Sequence, residues 1–119
     1  MIPSFLLAKL YVKGSLKNND NGFEFTLKNI IDSTMLIGIG PIGAGGKNYE
    51  GESITMTMGG KTVTCRELSR SNPIPVRMGM PITVSVAGDK LDAGAQKISV
   101  AATTTDIGRI KFDIDDTVA

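Results

Sequence analysis

The chain has 119 residues, 41% of them hydrophobic and 21% charged, with a formal net charge of +1 and no histidine. That length and mix suit one globular domain spanning residues 1–119. Near-neutral charge leaves no field to draw nucleic acid or a membrane surface. One cysteine excludes a disulfide framework and a multi-cysteine metal site, and the missing histidine removes the commonest general base and metal ligand.

In chain order, the N-terminal stretch from Ile2 to Ala8 is apolar but interrupted by Pro3 and stopped by Lys9. It lacks the basic lead and the unbroken run of about 7–15 apolar residues of a signal peptide. No run reaches the roughly 18 apolar residues of a membrane span. The expectation is a cytoplasmic chain in which Cys65 stays reduced. Leu10, Val12 and Leu16 alternate with Tyr11, Lys13, Ser15 and Lys17, which predicts a half-buried first strand with Lys9, Lys13 and Lys17 outside. The turn-forming run Asn18 to Gly22 joins it to a second strand over Phe23, Phe25 and Leu27.

Met35 to Ile39 reads as a buried third strand, followed by a glycine-rich connection from Gly40 to Gly51. Ser53 to Met58 and Lys61 to Cys65 form a hairpin about Gly59-Gly60. Arg66 to Ser71 is the one place for a short helical turn. Pro73, Pro75 and Pro81 make the next stretch extended or an edge. Further strands run over Ile82 to Val86, from Ile98 and Val100, and over Ile110, Phe112 and Ile114. The total is about eight or nine short strands, so the expected fold is an all-β, single-domain antiparallel sandwich. Leu91-x-x-Gly94 reads as a corner between sheets, the leucine plugging the core and the glycine taking the bend; the tyrosine usual in such corners is absent there.

Gly38-Ile39-Gly40-Pro41-Ile42-Gly43 spells G-x-G-x-x-G, but no helix follows to receive a pyrophosphate, so it reads as a sheet-edge turn. Cys65 beside Arg66 reads as a small buried hydrophobe, since no histidine exists to activate it. Asp113, Asp115 and Asp116 read as the solvated face of the last strand rather than a cation site. Arg66, Arg70 and Arg77, with Ser69, Ser71 and Asn72, are the densest donor cluster. They are the candidate contact for an anion or a partner, or else a solvated loop with ion pairs such as one to Glu67. Phe5, Leu6, Leu7, Met56, Met58, Met78 and Met80 are the candidate interface residues, because methionine suits adaptable contacts as well as cores. No catalytic residue, metal or cofactor is expected.

Phe5 to Asn18 followed by Gly22-Phe23-Glu24-Phe25-Thr26-Leu27-Lys28-Asn29 resembles a family of small archaeal and bacterial proteins, some labelled hydroxymethylglutaryl-CoA reductase. The reductase's catalytic histidine and cofactor loops have no counterpart in this chain. The order Gly22 to Phe25, Ile54 to Met58, Gly60 to Thr64 with Glu67-Leu68, and Leu91-x-x-Gly94 is also similar to the β subunit of C-glycoside deglycosidases. That resemblance implies a sandwich packed on a larger, metal-bearing subunit. Together these readings predict a non-catalytic protein acting by association, with itself or as the accessory subunit of a larger enzyme. The alternative is a small-ligand or anion-binding domain built on the three arginines.

Overall fold

A computed structural model describes residues 3–118. Ten strands form two antiparallel sheets. The first sheet has the order β1-β2-β8-β5-β6, with β1 Lys17–Asn19, β2 Gly22–Lys28, β8 Pro81–Ala87, β5 Ile54–Met58 and β6 Lys61–Thr64. The second has the order β10-β9-β3-β4, with β10 Gly108–Val118, β9 Gly94–Thr104, β3 Thr34–Ala44 and β4 Lys47–Tyr49. The short β7, Ile74–Val76, pairs with the start of β3. This is the expected antiparallel sandwich.

Alternation sets the inner faces. Phe23 and Phe25 on β2, Val84 and Val86 on β8, Ile98 and Val100 on β9, and Phe112 and Ile114 on β10 are all buried, with charged or polar neighbours outside. The hairpin about Gly59-Gly60 forms as the sequence requires, both glycines at positive φ.

Three local expectations change. The first strand does not form over Leu10 to Lys17. Ser4–Leu7 is instead a helical turn, α1, followed by a 3-10 turn at Ala8–Leu10. Only Tyr11 makes a bridge, to Leu27, before the chain turns at Lys13-Gly14 and enters β1. Leu10 and Leu16 are buried but Val12 is exposed, so the period of two breaks, and Lys9, Lys13 and Lys17 share no strand face. Second, the glycine-rich run is not one loop: Gly45-Gly46 turns, Lys47–Tyr49 forms β4, Gly51 opens a 3-10 turn, and residues 40–44 belong to β3. Its register with β9 shifts between Leu36 and Gly38 and again between Ile39 and Ile42. Glycine inside a strand serves close backbone approach and bulges; a side chain at Gly43 would collide with Ser99 and Asn48. Third, Cys65 leaves β6 and opens the 3-10 turn Cys65–Glu67.

The N-terminal segment closes one side of the sandwich. Its Val12 N–H donates to the Thr26 carbonyl on β2 at 2.9 Å, while α1 packs beside β10 of the other sheet. Leu7 and Leu10 enter the core. The apolar N-terminal stretch thus folds, over Ser4–Leu7, as a helical turn onto its own protomer; Ile2 itself lies outside the described residues. Helix suits it because Ser4, Phe5, Leu6 and Leu7 supply neither alternation nor β-branching.

Candidate functional site

The two ends of the sandwich differ. At one end the β8–β9 connection folds over the core. Leu91 is buried there as a plug, Gly94 bends at φ +107°, and the corner is pinned by Asn18. The Leu91 N–H donates to Asn18 Oδ1 at 2.7 Å, and Asn18 Nδ2 donates to the Leu91 carbonyl at 2.9 Å. Tyr49 adds a second cover, edge-on to Phe23 with ring centroids 6.0 Å apart. Gly88 lies against the Tyr49 ring where any side chain would collide. A Lys47–Asp89 ion pair rims this end at the surface.

The opposite end is open. A cavity of about 80 Å³ enters between the sheets there. Leu27, Ile82 and Val84 line it from one sheet and Leu36, Ala102 and Ile110 from the other. The loops beside its mouth are knitted together. The Gly79 N–H donates to the Asn29 carbonyl at 2.6 Å, the Asn29 N–H to the Met80 carbonyl at 3.1 Å, and the Met78 N–H to Ser33 Oγ at 3.0 Å. These bonds hold Ile30 and Met78 outward, 46% and 58% exposed. Two exposed apolar side chains on braced loops beside a half-open apolar cavity make a surface suited to an apolar partner group.

The residues singled out in the sequence fall in different places. Leu7, Met56 and Met58 are buried in the protomer's own core, which removes them from any interface. Met80 is half-buried against that core, while Phe5, Leu6 and Met78 remain exposed. Arg66 pairs with Glu52 across the 3-10 turns at Gly51–Ser53 and Cys65–Glu67, and not with Glu67. Glu67 accepts instead from the Thr64 N–H at 3.4 Å. Arg70 and Arg77 are exposed, with no ion pair among the described residues. Cys65 is buried, and its thiol donates to the Ile39 carbonyl at 2.7 Å; burial pushes its pKa up, away from the reactive thiolate.

One polar contact between the sheets escaped sequence reasoning. Along β10 the inward positions are Ile110, Phe112, Ile114, Asp116 and Val118, so Asp116 is a carboxylate on the core face. Asp113 and Asp115 lie outside, as expected, but Asp116 does not join them. The Tyr11 hydroxyl donates to Asp116 Oδ2 at 2.6 Å and accepts from the Leu16 N–H at 2.9 Å, while the Gly14 N–H donates to the same carboxylate oxygen at 2.7 Å. Tyr11 belongs by its backbone to the β2 side, so this contact latches one sheet to the other. The Tyr11 bond chiefly holds the Asp116 carboxyl below the usual range. Burial first, then the bond to Asp116, pushes the Tyr11 hydroxyl above its usual value. The alternation of β10 carried the signal: an aspartate falls where an apolar residue belongs. Among the described residues, no group of acidic, histidine or cysteine side chains is placed to hold a metal ion.

Fold and surface together define a small β-sandwich domain with one plugged end and one open apolar end. Residues 6–119 match the family model described as hydroxymethylglutaryl-CoA reductase, N-terminal domain, and the chain belongs to that family. The match is to the N-terminal domain and not to the reductase's catalytic domain. No curated protein matches the chain. No helix among the described residues is long and apolar enough to cross a membrane.

Proposed function

We propose that this chain is a non-catalytic sandwich domain that works by association, with itself or as the accessory subunit of a larger enzyme. The observation that carries the reading is the open apolar end, where Ile30 and Met78 stand exposed beside the cavity mouth. The accessory form draws support from the family's description as the N-terminal domain of an enzyme, and from the resemblance of its sequence segments, in their order along the chain, to a subunit that packs on a larger, metal-bearing one. The three arginines give the anion-binding alternative less support, since Arg66 is already engaged by Glu52.

The test pairs light scattering of the purified chain at micromolar concentration with isolation of the native protein from its source. The expected result is a mass above that of the 12.6 kDa monomer, or one larger enzyme chain isolated in fixed stoichiometry. In the accessory form, Ile30→Asp with Met78→Asp releases that larger chain and leaves the circular dichroism unchanged. A strictly monomeric chain that isolates alone overturns the reading.

A further inference from the structure

β10 is the outermost strand of its sheet, with α1 and the 3-10 turn Ala8–Leu10 packed beside it. Its one strand neighbour is β9, and over Arg109 to Asp115 no other backbone group among the described residues hydrogen-bonds to it. A long open edge is a template for another strand. The residues along it are arranged in a particular order. Arg109, Lys111, Asp113 and Asp115 point to solvent, and Ile110, Phe112 and Ile114 point inward. None of the four charged side chains has an ion pair among the described residues. Within the sheet, Arg109, Lys111 and Asp113 sit opposite the uncharged Thr103, Ala101 and Ser99, while Asp115 sits opposite Lys97 without reaching ion-pair distance.

The order of charges is self-complementary about Phe112. When two copies of β10 run antiparallel with Phe112 opposite Phe112, Arg109 meets Asp115 and Lys111 meets Asp113, each twice by symmetry, and Ile110 meets Ile114 on the inner face. Opposite charges directly across a strand pair attract and like charges repel. Sliding the pair by two residues sets Lys111 against Lys111 in one direction and Asp113 against Asp113 in the other. A slide by one residue turns side chains to the wrong face. One register therefore satisfies every charge. The pairing is isologous, as a two-fold dimer requires.

We infer that the partner of the β10 edge is a second copy of this chain, joined antiparallel about Phe112, so that the two four-stranded paths β4-β3-β9-β10 become one continuous sheet. α1 packs beside β10 and leaves Phe5 and Leu6 exposed there, 68% and 39% accessible, in position to be covered along the seam. This inference rests on the reading that the chain works by association and assigns its self-association to a surface separate from the open apolar end.

Charge inversion in the full chain tests it, read by sedimentation equilibrium. Lys111→Asp sets two carboxylates opposite each other at both crossings, and Asp113→Lys does the same with two ammonium groups. Each variant alone is expected to raise the dimer dissociation constant about tenfold or more while circular dichroism shows the fold intact. Mixing the two variants restores the two inverted crossings in a mixed dimer, and the double variant Lys111→Asp/Asp113→Lys restores them in a homodimer. Restoration by mixing establishes the pairing, because a mere loss of stability is not repaired by a second damaged copy. A wild-type dimer unmoved by either inversion, or single variants that stay monomeric when mixed, overturns the β10 pairing and leaves the association reading standing. So does a wild-type monomer isolated with a larger enzyme chain; a monomer isolated alone removes both.

Discussion

The plugged end and the open end of this sandwich are built from the same strands and differ in what crosses them. At the plugged end the β8–β9 connection carries a leucine into the core, and Asn18 satisfies both backbone groups of that residue. Tyr49 covers the neighbouring space over Phe23. At the open end the corresponding loops spend their hydrogen bonds on one another, and a cavity of about 80 Å³ remains between the sheets. A buried polar group satisfied within the chain leaves nothing for a partner to gain, whereas exposed apolar surface does. The first end is thus closed by its own chain, whereas the second leaves apolar surface exposed.

Truncation should separate the two ends most sharply. Leu91→Ala removes a buried plug and is expected to cost about 2–5 kcal/mol of unfolding free energy. Ile31→Ala, at the half-buried edge of the open cavity, should cost less than about 1 kcal/mol, because much of that surface already meets solvent. Urea denaturation of both variants measures the difference, and equal losses would mean that the open end is packed as firmly as the plugged one.

Filling the cavity sharpens the contrast from the other side. Ala102→Val points two added methyl groups into the open end and should stabilise the isolated chain by about 0.5–1 kcal/mol, seen as a raised urea midpoint. A lower midpoint would show that the space is too constrained to accept a larger side chain.

The smallest effect is electrostatic and belongs to the Tyr11–Asp116 latch between the sheets. Asp116 titrates below its ordinary value of 3.8 in the folded chain, so its contribution is present above that value and lost as pH falls through the folded pKa. Tyr11 titrates above its ordinary 10.0, so its contribution is whole below that value and lost as pH rises through the folded pKa. The difference in thermal midpoint between wild type and Tyr11→Phe should therefore be widest between about pH 5 and 9 and narrow at both extremes. A difference independent of pH would assign the loss to packing alone.

Much of this architecture is local in origin. Alternation over Phe23 to Leu27, Ile82 to Val86 and Ile110 to Ile114 sets strand and face together, because successive side chains on a strand point to opposite sides. The Gly59-Gly60 hairpin follows from the positive φ that a two-residue turn demands and glycine adopts cheaply. The Leu91-x-x-Gly94 corner was legible for the same reason, a plug and a bend at fixed spacing. The N-terminal segment was not legible. Leu10, Val12 and Leu16 alternate on paper, yet burial of Leu7 and Leu10 against the sheet edges favours helical turns there. The length of β3 was hidden by its glycines, which are turn residues in isolation and bulges when two neighbouring strands hold them in register.

By itself the sequence determined the all-β class, the inward and outward faces of most strands, the absence of histidine chemistry and the self-complementary order of charges along Arg109 to Asp115. Each of these is a property of residue type or of spacing within one segment. Only the tertiary structure decided that Met56 and Met58 belong to the core while Met78 does not, that Tyr11 reaches Asp116 across 105 positions of chain, that β10 lies at an edge, and that one end of the sandwich stays open. Those outcomes depend on which strands become neighbours and which loops fold over the gap between the sheets. That is settled by the packing of segments distant in sequence, and no local pattern encodes it.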